Sequence, residues 1–153
     1  MLQTRINLLR DTAVFEDLAE ADLVTVAQRL IELEFEDGDL LFREGAAGRY
    51  ICFLTDGRLA VSKRTDDGRE VEIAAIEPGR SVGEMSIIDG LTCSATVTAQ
   101  GHASVLALTR EHFDRLVEET PRLGAEIYKG ISRLLSVSLR RTSEDLARRI
   151  ADV

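Results

Sequence analysis

Nine of the chain's eleven glycines fall between Gly38 and Gly101, and no other feature restricts the fold so much. Glycine weakens helix interiors and suits turns, where a left-handed backbone costs it little. Here it keeps turn-forming company, in Asp37-Gly38-Asp39, Glu44-Gly45, Asp56-Gly57, Asp66-Asp67-Gly68 and Pro78-Gly79. Between these lie β-rich runs at Leu40–Arg43, Tyr50–Asp56, Arg58–Arg64, Glu70–Ile76 and Ser94–Leu108. Short strands separated by turns at a spacing of roughly 8–12 residues predict a sandwich, barrel or jelly roll. Asp67-Gly68, between the alternating runs Leu59–Lys63 and Val71–Ile73, is the clearest hairpin signal. The expectation over residues 35–108 is a roll of about eight antiparallel strands.

On either side the apolar period becomes helical. Over 14–34, Phe15, Leu18, Leu23, Val26, Leu30 and Ile31 recur at helical spacing, while Glu16, Asp17, Glu20 and Asp22 suit early turns. A break near Ala19–Ala21 divides this part into two small helices. Over 109–153, Thr109 caps a short helix bearing Phe113, Leu116 and Val117, and Pro121 opens a longer one behind Thr120. Leu123, Ile127, Ile131, Leu134 and Leu135 form a stripe on the longer helix; it thins after Ser138 and resumes at Leu146, Ile150 and Val153. The predicted class is α+β in a single domain, 1–153. An antiparallel β-roll (a double-stranded β-helix, or jelly roll) is flanked by N-terminal helices and a long C-terminal helix. The stripe from Leu123 to Leu135 exceeds what one face of a roll need cover, so a homodimer along this helix is expected. Folding back onto its own domain is the alternative.

Composition narrows the function. With 44% apolar and 30% charged residues over 153 positions, the chain is too hydrophobic to be disordered. No apolar run approaches the ~20 residues of a membrane helix, and Met1–Arg10 lacks a signal-peptide pattern. Cys52 and Cys93 make no disulfide framework, which points to a reducing cytoplasm. A net charge of −8 argues against a bare nucleic-acid clamp, which needs a clustered positive surface. Arg140, Arg141, Arg148 and Arg149 read as a solvated helix face. His102 and His112 have no Cys, Asp or Glu at ligand spacing, and no Ser-His-Asp set or Gly-x-Ser-x-Gly elbow is visible. Neither metal ligands nor catalytic residues are expected, and the chain is not expected to be an enzyme.

One segment, Ser81 to Val97, breaks the β rhythm. It does not read as a strand until Ser94; Gly83 opens a helical turn and Gly90 closes it in a left-handed conformation. The first backbone N–H groups of such a helix lack partners and attract anions, and a nearby glycine lets a ligand approach. Glu84 offers a carboxylate to sugar hydroxyls. On spacing alone, a long loop containing a helical turn is the favoured description. Cys93 reads as a space-filling residue or as a reactive thiol near a helix N-terminus, and Cys52 as core.

The residues then reach a resemblance. The stretch from Phe35 to Gly45, the stretch from Tyr50 to Gly57, and Val82-Gly83-Glu84-Met85 resemble a cyclic nucleotide-binding domain, the family of bacterial catabolite activators and of kinase and channel regulatory domains. The match runs from about Phe15 to Ser143, with Gly38, Gly45, Gly57, Gly68, Gly79 and Gly83 in the family's order. The family's phosphate-binding cassette resembles F-G-E-Φ-A-L-Φ-x-x-x-P-R-A/S-A-T-V, with Φ apolar. Gly83, Glu84, Met85, Ser94, Ala95, Thr96 and Val97 match it, whereas Thr92 stands at the Pro position and Cys93 at the Arg position.

The resemblance implies a candidate ligand, cAMP or cGMP, and no cofactor. It implies a site made by Gly83, Glu84, Met85, Ser86, Cys93, Ser94 and Ala95 within a cassette at 82–97. Glu84 would take the ribose hydroxyl, and N–H groups near Gly83–Met85 with the Ser94 hydroxyl would face the phosphate. A cysteine supplies neither the charge nor the planar fork of a guanidinium. Losing two charged hydrogen bonds predicts binding on the order of tens of micromolar or weaker, unless Arg43 or Arg80 reaches in. Two functions follow: a ligand-responsive regulatory module, or a nucleotide-independent interaction and dimerisation module on the same scaffold. The family's transcription factors carry a helix-turn-helix after the long helix, about where Val153 ends this sequence, so direct nucleic-acid binding is not expected, nor is a membrane partner. The downstream protein partner has no signature in the sequence.

Overall fold

A computed structural model of the protein describes residues 1–90 and 92–152. Val153, expected at the end of the helical stripe, and Leu91, within the 81–97 segment, lie outside the described residues. In chain order the elements are α1 (Leu2–Arg10), a 3₁₀ turn (Ala13–Phe15), α2 (Glu20–Ala27), β1 (Ile31–Phe35), β2 (Leu40–Phe42), β3 (Tyr50–Arg64), β4 (Glu70–Ile76), β5 (Ser81–Val82), α3 (Glu84–Asp89), β6 (Thr96–Thr109), α4 (Arg110–Glu119) and α5 (Pro121–Ala151).

All strand pairings are antiparallel. The sheet runs β1-β6-β3-β4, with β2 also on β6 and β5 also on β3. The strands form a β-roll flanked by helices at both ends of the chain. The described residues hold six strands rather than about eight, because β3 and β6 each run as one long bent strand. The register of β3 against β6 shifts between Leu54 and Asp56 and again before Arg58. Gly57 sits in this kink at φ +93°, where a Cβ would lie 2.3 Å from the His102 carbonyl oxygen. Tyr50–Asp56 and Arg58–Arg64 are therefore one strand interrupted by a bulge.

The strand run Ile51–Leu54 is apolar at every position because both of its faces are buried. Ile51 and Phe53 pack with Phe15, Leu106, Leu108, Phe113, Ile127 and other residues of a helix-facing core. Cys52 and Leu54 point the other way, to a second core inside the roll with Phe42, Leu59, Cys93, Val97 and Val105. The expected hairpin forms at Asp67-Gly68: Gly68 has φ +85°, and the Thr65 N–H donates to the Arg69 carbonyl at 2.8 Å.

Several boundaries differ from the sequence reading. Helix was expected through residue 34, but Ile31–Phe35 is a strand paired with Ala103–Ala107. Leu30 and Ile31 continued a helical spacing, and the alternation of Ile31, Leu33 and Phe35 decides the outcome. Helix α1 was not anticipated; Ile6 and Leu9 bury it. Ser81–Val82 pairs with Cys52 and Phe53 ahead of the expected strand, and β6 begins at Thr96, not Ser94. Thr109 caps α4 by accepting from the His112 N–H at 3.1 Å. Thr120 occupies the cap position of α5, but its side chain makes no capping bond.

The stripe on α5 also needs correction as a dimer surface. Leu123, Ile127 and Ile131 are 1%, 0% and 0% exposed, buried against Val14, Phe15 and Phe113 in the helix-facing core. Leu134 and Leu135 pack against the edge of the same cluster. These residues are consumed within their own domain.

Candidate functional site

Helix α3 is short and closed by glycines at both ends, Gly83 at φ +94° and Gly90 at φ +68°. Gly83 is required twice over. Its backbone is left-handed, and a Cβ would stand 2.7 Å from the Tyr50 carbonyl oxygen and 2.8 Å from Phe42 Cζ. The other end is pinned by Arg110, whose two terminal nitrogens each donate to the Ser86 carbonyl at 3.1 Å. Gly48 lets the β2–β3 loop close over the helix, since a Cβ there would overlap Ser86 Cβ at 2.1 Å. Helix α3 is thereby set against the approach to β6.

Between α3, the approach to β6 and the middle of α5 lies a cavity of about 310 Å³. All seven sequence-predicted site residues line it: Gly83, Glu84, Met85, Ser86, Cys93, Ser94 and Ala95. Glu84 is the buried charge-bearing group there, at 8% exposure. Burial raises its carboxyl above the ordinary value; the Ser81 hydroxyl, its own backbone N–H and the charge of Arg80 oppose that rise. Ser81 Oγ donates to Glu84 Oε1 in a short contact. Met85 and Ser94 meet where α3 faces the approach to β6, with Ser94 Oγ 3.7 Å from Met85 Sδ. Ser86 is 4% exposed, wedged by Gly48 and held through its carbonyl.

Cys93 is 7% exposed and anchored by its backbone: its N–H donates to the Ala46 carbonyl at 2.8 Å and its carbonyl accepts from Gly45 at 2.9 Å. Its thiol joins the apolar interior of the roll. Cys52 is fully buried, and burial, with the nearby Glu84 charge, pushes its thiol far above the usual cysteine range.

Other residues line the cavity beyond the seven expected ones, among them Arg80, which the sequence offered only as a cation able to reach in. Ser81 lies three positions before Glu84, a spacing that could have flagged it as a partner. Arg80, exposed at the β4–β5 turn, lines the cavity, as do Leu134, Leu135 and Ser138 from α5. These α5 residues are about fifty positions from Glu84, and no local pattern joins them to it. The histidines stay apart from this site. His102 pairs with Glu34 at 2.7 Å and Glu36 at 3.4 Å, and His112 Nδ1 lies 2.9 Å from the Arg29 carbonyl oxygen. Among the described residues no cluster of His, Cys, Asp or Glu could hold a metal, and no helix is long and apolar enough to cross a membrane.

Comparison with known proteins places this geometry. The family model of the cyclic nucleotide-binding domain matches residues 32–120. A CRP-like cAMP-activated global transcriptional regulator of Mycobacterium tuberculosis is 24% identical over 141 residues, covering 92% of this chain and 61% of the relative. The chain thus spans less than two thirds of that regulator. The regulatory subunit of a cAMP-independent protein kinase A from Trypanosoma brucei, solved as a triple mutant bound to cAMP in its A site, superposes with a TM-score of 0.76 at 26% identity, covering 87% of this chain and 46% of that one. A cyclic nucleotide-binding domain from Methylobacillus flagellatus superposes with a TM-score of 0.85 at 22% identity, over 97% of this chain and 83% of that one. Two of these three, the transcriptional regulator and the kinase regulatory subunit, are regulatory proteins by name. The matched span holds β1 to α4, the cassette and Glu84, and on that ground the chain belongs to the cyclic nucleotide-binding domain family.

Proposed function

We propose that this chain is a ligand-responsive regulatory module that takes a 3′,5′-cyclic nucleotide, cAMP or cGMP, weakly in the cavity over α3. The observation that carries the reading is Glu84, a buried carboxyl at the first turn of α3 in a largely apolar cavity. Such a group suits sugar hydroxyls, which satisfy a carboxylate without adding charge. The α3 N–H groups and Ser94 are left for the phosphate. Leu134, Leu135 and Ser138 line the same cavity, so occupancy would be felt by α5, the route by which a ligand would alter the helix's outer half.

The weakness follows from Cys93. An anionic phosphate in a partly dry cavity would meet partial dipoles where a guanidinium fork would supply two charged hydrogen bonds, each worth about 1.5–3 kcal/mol. Calorimetric titration with cAMP and cGMP tests this. Dissociation constants on the order of tens of micromolar or weaker are expected for the wild type, and Cys93→Arg should bind at least about tenfold more tightly. Nanomolar wild-type binding would overturn the weak-site reading.

A second reading has its own support. The outer part of α5 exposes Val137, Leu139, Leu146 and Ile150, which suits a nucleotide-independent module that pairs with a second copy. If Cys93→Arg gains nothing and neither nucleotide binds, this reading stands alone.

A further inference from the structure

Behind Cys93 lies a second cavity of about 330 Å³, formed where the β2–β3 loop closes against the start of the β6 approach. Phe42 and Cys93 form part of the walls of both cavities. The second holds no carboxylate, and its lining includes Arg43, Arg49 and Tyr50. In a chain with 27 acidic residues against 19 basic ones, that is an unusual local balance. Arg10, Arg29, Arg122 and Arg133 each find a carboxylate. Among the described residues the side chains of Arg43 and Arg49 have neither an ion pair nor a hydrogen bond.

The one acid beside them in sequence is engaged elsewhere. Glu44 accepts from Lys63 Nζ at 3.2 Å and from the Arg64 backbone N–H at 2.9 Å. The Tyr50 hydroxyl donates to the Leu41 carbonyl at 3.0 Å and keeps oxygen lone pairs as acceptors only. Two guanidiniums in one lining, neither with a counter-ion, leave positive charge uncompensated at this cavity, and their planar forks match oxyanions best. The geometry points to the Arg43–Arg49 cavity as a second binding site, for a small phosphate-bearing oxyanion. It makes no use of α3 or Glu84, so it stands whether or not a cyclic nucleotide binds in the first cavity.

The test is a ¹H–¹⁵N NMR titration of the whole chain with sodium pyrophosphate, against sodium chloride matched for ionic strength. Saturable shifts are expected at the amides of residues 43–50 and 92–93. Arg43→Ala and Arg49→Ala, both exposed positions, should each weaken binding about tenfold, the loss of one charged hydrogen bond or more. Shifts that match the chloride control would overturn the proposal. So would saturation confined to residues 81–86 and 94–96, which puts the anion in the first cavity, or an affinity unchanged in both alanine variants.

Discussion

Glu84 carries a cost that the rest of the cavity tolerates. Burial, the largest influence on it, raises its carboxyl above the ordinary value despite Ser81, its own N–H and Arg80. Below the ordinary carboxylate pKa both folded and unfolded chains hold the proton, and the group costs nothing. As pH rises past that value the unfolded chain ionises first, so stability falls until the folded carboxyl ionises as well. Glu84→Gln keeps the shape and an acceptor for the Ser81 hydroxyl but removes the ionisation. Thermal melts of the ligand-free protein should show the variant more stable than wild type at pH 7, with little difference at pH 4. An equal gain at both pH values would mean that the carboxyl is not destabilised by burial. The same residue shows how much of the site was legible. Gly83, Glu84 and Ser94–Val97 were legible through the resemblance of the 82–97 cassette to the family's, whereas spacing alone favoured a long loop. Arg80 was legible only as a nearby cation, Ser81 carries no pattern of its own, and Leu134, Leu135 and Ser138 arrive only through the fold.

At the scale of elements, helix α5 comes so close to the N-terminal 3₁₀ turn that one residue decides the contact. A Cβ on Gly130 would lie 2.0 Å from the Val14 carbonyl oxygen and 3.0 Å from the Val14 carbonyl carbon. Alanine would favour the helix itself by about 1 kcal/mol, but the obstacle is backbone and cannot rotate away. Overpacking of this kind costs up to about 3 kcal/mol, so the clash wins. Gly130→Ala should lose roughly 2 kcal/mol, a fall in Tm of about 4–8 °C for a chain of this size; a rise in Tm would show that the helix stands further off. This contact was invisible in the sequence, where Gly130 was merely a glycine outside the turn-rich region. The hairpin at Asp67-Gly68, the Thr109 cap and the Gly83–Gly90 helix were legible because each rests on local chemistry. Strand β1 was misread for the opposite reason. The sheet partner that makes Ile31–Phe35 extended is Ala103–Ala107, about seventy residues away, while Leu30 and Ile31 fit the helical period preceding them.

For the whole molecule, α5 has two halves with different owners. The first belongs to the domain: Leu123, Ile127 and Ile131 are core, and ion pairs tie α5 to the N-terminal segment, Arg122 to Asp22 at 2.8 Å and Arg133 to Asp17 at 2.6 Å. From Ser136 to Asp152 every residue is exposed. A helical stretch of that length is marginal in water on its own, yet it carries Val137 at 51%, Leu139 at 68%, Leu146 at 57% and Ile150 at 66% exposure. Leu139, Leu146 and Ile150 follow a spacing of seven and then four, which keeps them on one face. Each square ångström of apolar surface covered there contributes about 25 cal/mol, against the loss of translational freedom on association. A second copy of the same stripe is the occupant the spacing suits, and pairing would hold the outer half helical. Analytical ultracentrifugation at micromolar concentration should give a dimer for the wild type and a monomer for Leu139→Glu combined with Leu146→Glu. The melting of the roll should stay unchanged, because neither side chain touches the core. Ile131→Glu is no substitute: it would place a charge at a fully buried position and unfold the domain. A monomeric wild type would refute the pairing, and far-UV circular dichroism would then show the outer half of α5 frayed.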